Sequence, residues 1–221
     1  LPAALAPAGT TRYTAVAAYN VGALPRAGLV GRLVLCSGVS NDLFDSANKW
    51  IGHLPGGMGR ATVAGGTGFA AVCGDSLATA MTMTSVALPE MKTHKYNSGL
   101  ACATLASGGT LGILIPPSMG FIMYAIVTEE SIGRLFIAGI IPGLLLATLF
   151  ALMLIFTAIK WPHMAPRGDI FPLAVKVRAL TGILPMVGLI ILIIGGMMGG
   201  IFSPTEGGAV GSFGTLVAAA A

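Results

Sequence analysis

Charged residues fall in clusters along the chain, and the intervals between the clusters predict its elements. Residues 61–74 and 76–89 are two uncharged runs of 14, parted by Asp75. Residues 96–128 form a run of 33, residues 135–159 one of 25, and residues 179–205 one of 27. A helix needs about 20 apolar residues to cross a bilayer. The last two runs therefore predict simple spans, with cores Leu135 to Ile159 and Ile183 to Ile201. The two shorter runs cannot cross singly, and they are rich in Ala, Gly, Ser and Thr, which suits packing inside protein better than contact with lipid. They predict a re-entrant hairpin turning near Cys73-Gly74-Asp75-Ser76. The competing reading is one continuous helix over 61–89. It must hold Gly74 and the cluster Gly65, Gly66, Gly68 in its interior, and each glycine there costs about 1 kcal/mol relative to alanine.

The run of 33 would be about 50 Å long if wholly helical, too long for one straight crossing. It carries its own interruption, Gly108-Gly109-Thr110-Leu111-Gly112-Ile113-Leu114-Ile115-Pro116-Pro117-Ser118. The expectation is a helix broken in mid-membrane, with Tyr96–Ser107 before the break and Met119–Val127 after it. Nearer the start, Val21–Cys36 is moderately apolar but contains Arg26 and Arg32. Ser40–Lys49 reads as an amphipathic surface helix, ended by Leu54-Pro55-Gly56-Gly57. The expected organisation is an N-terminal membrane or amphipathic region over 1–60, the hairpin and broken helix over 61–128, and further transmembrane helices over 129–221. With no starting Met and an uncharged run at Ala221, the chain reads as an internal piece of a longer protein.

Composition sets the solvent. Of 221 residues, 12 are Lys or Arg and 8 Asp or Glu, so 9% are charged, while 55% are hydrophobic and the mean hydropathy is +0.87. An ordinary soluble domain is about 25% charged, and so sparse a charge cannot cover a water-facing surface. Disorder is excluded by the abundance of apolar residues. The 32 glycines keep no three-residue period, which excludes collagen. The net charge of +4 is spread without a dense basic patch, so nucleic acid is not an expected partner. The fold class is thus an all-α polytopic membrane protein in a lipid bilayer. Three cysteines and three widely spaced histidines make neither a disulfide framework nor a zinc motif.

The sign of the loops orients the spans. Lys92 and Lys95 flank one end of the broken helix, and Glu129, Glu130 and Arg134 the other. The loop after the next span holds Lys160, Arg167, Lys176 and Arg178 against Asp169. Positive residues favour the cytoplasmic side, which places 90–95 and 160–178 inside and 129–134 outside. Lys49 and Arg60 agree with a hairpin whose two mouths are both cytoplasmic.

The interruptions are where chemistry is expected. A proline lacks an N–H and frees the carbonyl four residues earlier, so Pro116 would release Gly112 and Pro117 would release Ile113. Gly108, Gly109 and Gly112 would let the chain leave helical geometry. Free carbonyls at membrane depth are tolerated when buried in protein, solvated or bound to a cation. Ser76, Thr79, Thr82 and Asp75 add oxygens at the hairpin tip, and interrupted helices meeting at the midplane mark ion and substrate sites in transporters. Each feature also has a structural reading. Pro116-Pro117 can be a simple kink, Asp75 can cap the second arm, and Ser and Thr can bond to the i−4 carbonyl. Gly195-Gly196-Met197-Met198-Gly199-Gly200 offers two overlapping GxxxG registers, a close-packing face. Ser203-Pro204-Thr205-Glu206 fits a capping box that starts another helix. No nucleophile elbow, Walker A loop or HExxH is present, so hydrolase, ATPase and zincin readings have no support.

The chain resembles the large membrane subunit of tripartite ATP-independent periplasmic (TRAP) transporters. The resemblance runs through Lys49-Trp50-Ile51-Gly52-His53-Leu54-Pro55-Gly56-Gly57, Cys73-Gly74-Asp75-Ser76-Leu77-Ala78-Thr79-Ala80 and Ala87-Leu88-Pro89-Glu90-Met91-Lys92. It continues through Gly108 to Ser118, Thr128-Glu129-Glu130-Ser131-Ile132-Gly133-Arg134-Leu135-Phe136 and Ser203-Pro204-Thr205-Glu206. It implies a multi-pass protein of the bacterial inner membrane and a Na⁺-coupled secondary transporter working by an elevator movement. The implied partners are a periplasmic substrate-binding protein and a small membrane subunit, and the implied substrate is an organic acid such as a C4-dicarboxylate or a sialic acid. The resemblance places a Na⁺ between Cys73 and Ser76 of the tip and Gly112, Ile115 and Pro117 of the broken helix. It places the substrate at the same tip, near Gly74, Asp75, Thr79 and Ser118.

Three features depart from the family pattern. Asp75 stands where a serine is more usual, Pro25-Arg26-Ala27-Gly28-Leu29-Val30 is more polar than the expected helix, and no second PPS-type break precedes Ala221. The chain would then hold one half of an inverted-repeat transporter. Rival readings are a cation-coupled carrier needing no binding protein and a non-transporting membrane scaffold. An intramembrane enzyme is the remotest, because Asp75 and Ser76 lack a paired base.

Overall fold

The computed structural model describes residues 34, 38–166 and 168–220. The expected span within 13–40 and the polar stretch at 25–30 lie outside the described residues. Eight helices follow one another among those described: α1 (Val39–Ile51), α2 (Gly57–Cys73), α3 (Ser76–Thr93), α4 (Ser98–Leu114), α5 (Met119–Thr128), α6 (Ile132–Lys160), α7 (Leu173–Met198) and α8 (Pro204–Ala220). Three are long and apolar enough to cross a membrane: Ser98–Thr128 counted through its break, Ile132–Lys160 and Leu173–Met197.

The hairpin forms as expected. α2 and α3 run antiparallel, with Met58, Met91 and Tyr96 clustered at the mouth and the Met83 sulfur 3.6 Å from where a Gly65 side chain would begin. At 17 and 18 residues each arm is about 26 Å long, short of the roughly 30 Å hydrocarbon core. The first arm starts at Gly57 rather than 61, because Gly56 takes a left-handed conformation (φ 66°) that turns the chain directly into the helix. Phe69 and Met83 are completely buried, and with Phe44 and Met186 they tie the hairpin to α1 and α7.

α1 is amphipathic, with Asp42 and Asp45 exposed and Leu43 and Phe44 buried. Its position differs from the expected surface helix, since it lies between α2 and α7. The Ser46 hydroxyl donates to the Ala179 carbonyl at 2.7 Å, and the Trp50 indole N–H donates to the Lys176 carbonyl at 3.1 Å. These two bonds hold the start of α7, which begins at Leu173, ten residues before the expected core. α7 ends at Met198, short of Ile201, because Gly200 turns left-handed (φ 70°) and the Ile201 N–H returns to Gly196 at 2.9 Å. Among the described residues the glycines at 195–200 consequently pack against no neighbouring helix. Nothing lies within 4 Å of a side chain built at Gly195, and the Phe202 ring covers Gly196.

The capping box forms. The Ser203 N–H donates to the Glu206 carboxylate at 2.7 Å, and the Glu206 N–H donates back to the Ser203 hydroxyl at 3.4 Å, starting α8, which packs on α7. α6 packs against α2 and α4 but turns most of its surface outward. Ile141, Leu149 and Phe156 are 76%, 51% and 64% exposed, as suits a lipid-facing helix.

All the basic turns gather at one end. The Asn97 N–H donates to the Met164 carbonyl at 3.0 Å, and the Gly168 N–H to the Gly52 carbonyl at 2.9 Å. His94 lies 3.5 Å from Asp169, and the Lys160 ammonium sits 4.7 Å from the Trp161 ring, a pairing that suits a membrane–water interface. The turns at 52–56, 94–97 and 161–166 thus share one end of the helix bundle, with 129–131 at the other. Single cysteines at Lys95 and Met164 in the full-length protein should react with a membrane-impermeant maleimide from the same side, and one at Glu129 from the opposite side. Labelling of Lys95 and Glu129 positions from the same side would refute the hairpin topology.

Candidate functional site

The site is built where two chain interruptions meet. α2 ends at Gly74, whose left-handed conformation (φ 65°) only glycine adopts without strain, and whose N–H donates to the Ala70 carbonyl at 2.9 Å. Asp75 then caps α3, its carboxylate accepting from the N–H groups of Leu77 at 3.3 Å and Ala78 at 3.1 Å. The Thr79 hydroxyl donates to the Asp75 carbonyl at 2.6 Å. The capping reading of Asp75 and the i−4 reading of Thr79 therefore describe these groups. Neither removes the tip from the site, because the bonds shape it.

The second interruption is shorter than expected. α4 continues to Leu114, through Gly108, Gly109 and Gly112, so those glycines stay helical and the break is confined to Ile115-Pro116-Pro117-Ser118. Their role is close approach. A side chain at Gly109 would begin 2.6 Å from the Ala80 β-carbon, and one at Gly112 would begin 2.7 Å from the Asp75 carbonyl oxygen and 2.9 Å from the Ser76 nitrogen. At Gly74 it would collide with the Pro117 carbonyl. The peptide planes of α4 and its break thus lie directly on those of the hairpin tip.

One hydrogen bond joins the two interruptions. The Met119 N–H donates to the Gly74 carbonyl at 2.9 Å. In an unbroken helix that N–H would return to Ile115, so the Ile115 carbonyl loses its ordinary donor. The Gly112 carbonyl loses its own because Pro116 has no N–H. The Ile113 carbonyl, expected to be free, accepts from the Ser118 hydroxyl, and Ser118 also caps α5 by accepting from the Phe121 N–H at 3.5 Å. Ser118 is completely buried and holds both sides of the break together.

The candidate residues sort by what their polar atoms already do. Gly74, Gly112, Ile115 and Pro117 contribute backbone at the crossing. Asp75, Thr79 and Ser118 have side chains committed to caps and turns. Ser76 is half-buried at the start of α3, and its hydroxyl has no hydrogen-bond partner among the described residues. Thr82, a turn and a half further on, is fully buried, also without a partner for its hydroxyl. Cys73 is fully buried at the last turn of α2. Among the described residues no three His, Cys, Asp or Glu side chains gather to hold a metal ion. A cation here would instead meet neutral oxygens, the ligand type hard cations accept.

The support from α6 was not expected from the sequence. Side chains at Gly139 and Gly143 would begin 3.0 Å and 3.4 Å from the Leu114 carbonyl, and the Phe121 ring covers Gly139. The signal was there, a Gly-x-x-x-Gly spacing at 139–143. It closes the back of the break, where Phe121 and Phe136 pack with ring centroids 6.5 Å apart.

The modest crowding at some glycines and the severe crowding at others generate a paired prediction. Gly112→Ala should destabilise the full-length protein by about 1–3 kcal/mol, the usual cost of overpacking against a backbone that cannot retreat. Gly66→Ala, whose new β-carbon would lie 3.5 Å from the Gly108 carbonyl, should be neutral or stabilising by up to about 1 kcal/mol. Thermal denaturation in detergent reads both, and equal effects at the two positions would contradict the close crossing.

Comparison with known proteins gives a consistent placement. The family described as "Tripartite ATP-independent periplasmic transporter, DctM component" matches residues 8–221. The C4-dicarboxylate TRAP transporter large permease protein DctM of Pseudomonas aeruginosa is 39% identical over 194 residues, covering 87% of this chain and 44% of that protein. The ectoine TRAP transporter large permease protein TeaC of Halomonas elongata is 36% identical over 171 residues, covering 77% and 39%. The sialic acid TRAP transporter large permease protein SiaM of Vibrio cholerae is 32% identical over 198 residues, covering 88% and 45%. The chain thus spans less than half the length of these curated relatives. With a matching family over nearly its whole length and the crossing of hairpin and broken helix in place, the chain belongs to the large permease subunits of the tripartite ATP-independent periplasmic transporters.

Proposed function

We propose that this chain forms one half of the ion and substrate site of a Na⁺-coupled importer of an organic acid, working in the bacterial inner membrane. A periplasmic binding protein would deliver the substrate, and a small membrane subunit would brace the large one. The observation that carries this reading is the Met119 N–H bond to Gly74. By diverting a donor across to the tip, it leaves the Ile115 carbonyl without its helical donor, three residues after the Gly112 carbonyl that proline has already freed. Such groups are costly at membrane depth unless something binds them. Ser76, with its hydroxyl unpaired among the described residues, offers a further oxygen on the tip residue whose backbone nitrogen lies against Gly112.

In this reading Na⁺ is held by oxygens of Ser76, Gly112 and Ile115, with Cys73 and Pro117 completing the backbone around it. Asp75 and Thr79 keep the tip in shape, and Gly74 and Ser118 fix its distance from the break. The substrate binds at the same tip, where Asp75 already caps the N-terminus of α3. The relatives named for C4-dicarboxylate and sialic acid support an organic acid, and the ectoine relative widens the class to a zwitterion that also carries a carboxylate.

The test is uptake by the full-length protein with its partners. An inward Na⁺ gradient should drive accumulation that survives a protonophore and disappears without the binding protein. Uptake indifferent to Na⁺ and abolished by the protonophore would overturn the coupling. Ser76→Ala should weaken the apparent Na⁺ affinity by roughly tenfold, the equivalent of losing about 1.4 kcal/mol of ligation, with expression unchanged.

A further inference from the structure

A second feature lies away from the tip. Between α2 and α6, near the basic end, is an open cleft of about 600 Å³, within the ~300–1,000 Å³ range of small-molecule sites. Ile51, Val63, Leu144, Ala147, Ala151 and Ile155 line it, with Thr67 and Thr148. Both hydroxyls are spent on their own helices, Thr67 on the Val63 carbonyl at 2.7 Å and Thr148 on the Leu144 carbonyl at 2.6 Å. The walls therefore present hydrocarbon to whatever enters. The exception is Arg60, one turn into α2, whose Nε and one terminal nitrogen are buried without a hydrogen-bond partner.

A guanidinium stays charged at any physiological pH, and although Arg60 as a whole is only half-buried, its shielded nitrogens favour an anion beside them. The chain supplies none. All eight acidic residues are among those described. Asp45 pairs with Lys49, Asp169 lies against His94, Asp75 caps α3, and Glu206 closes the Ser203 box. Asp42 packs beside Gly182 of α7, Glu90 is exposed on α3, and Glu129 and Glu130 lie at the far side of the membrane. Tyr96 is the nearest ionisable neighbour, but burial pushes its phenol up to about 12, so it is neutral at pH 7. Within this chain Arg60 has no acidic partner, and a molecule that supplies one here must also fit an apolar trough.

We infer that the α2–α6 cleft binds an anionic phospholipid of the leaflet on the basic side, its phosphate on Arg60 and an acyl chain along the Val63, Ala147 and Ala151 walls. Arg60 and the phosphate can pair through two parallel N–H···O bonds. The acyl chain covers apolar surface on α2 and α6 that the described residues leave open. A lipid here would wedge the first arm of the hairpin against α6, so occupancy of this cleft bears on how freely the hairpin moves.

The experiment uses the full-length transporter with its partner subunit, purified in detergent. Binding of phosphatidylglycerol is compared with phosphatidylcholine of the same acyl chains by native mass spectrometry. Wild type should retain phosphatidylglycerol preferentially. Arg60→Ala should weaken that binding about tenfold and erase the preference, while Arg60→Lys should keep part of it. Ala151→Trp, which fills the cleft and leaves Arg60 intact, should displace both lipids, with thermal denaturation confirming that each variant is folded. The inference fails if Arg60→Ala keeps the preference or if Ala151→Trp retains phosphatidylglycerol. It fails equally if succinate competes the lipid away, which would make Arg60 a site for small soluble anions. Wild type binding neither lipid would also sink it, as when an acid from the remainder of the full-length protein already occupies Arg60.

Discussion

A peptide group interrupted inside a membrane has no water to fall back on. Lipid offers neither donor nor acceptor, so each N–H and C=O released by a broken helix must find a partner in the protein or in a bound ligand. This chain contains two such interruptions, at Gly74-Asp75 and at Ile115 to Ser118, and the fold sets them against each other. The Met119 N–H reaches Gly74, Asp75 caps the arm that follows, and Ser118 bridges its own break. Helix α6 then closes the back with Gly139 and Gly143. The rest of the packing can be read as what is needed to bring those two breaks within one hydrogen-bond length.

Glycine carries that requirement. In water, apolar area lost to solvent would be the main driving term, but between helices in lipid the gain is close packing itself. A peptide plane can lie on a neighbouring peptide plane only where no β-carbon intervenes. Gly74, Gly109 and Gly112 are those places, and each would be blocked by a single methyl group. Glycines elsewhere serve other ends: Gly56 and Gly200 turn the chain at helix boundaries, and among the described residues nothing lies against Gly195.

The architecture was largely legible in the sequence because charge is so scarce. Intervals without charge located α2 to α7, and the sign of the loops grouped 90–95 and 160–178 with Lys49 and Arg60 on one side. Boundaries were less legible. Lys176 and Arg178 hid the first turns of α7, since a gap in charge marks the lipid-buried stretch and a helix extends beyond it. In the site, the residue types at the tip and the proline pair were readable, but their division of labour was not. Asp75 and Ser118 could each have faced a ligand or the backbone, and only the local geometry shows both turned to the backbone. The two GxxxG spacings make the same point. The conspicuous one at 195–200 ends a helix, and the unremarked one at 139–143 supports the break, because spacing alone does not say what lies opposite.

The contact between tip and break is made of main chain, and main chain has no identity to lose. Substitutions at outward positions such as Leu77 and Met81, 67% and 62% exposed on α3, leave every bond of the crossing intact. A scaffold held in this way separates two kinds of constraint: the frame is written in where side chains are missing, and the surrounding side chains are left free to vary. Such a frame can accept change on the hairpin's outer face while each backbone contact of the crossing stays in place.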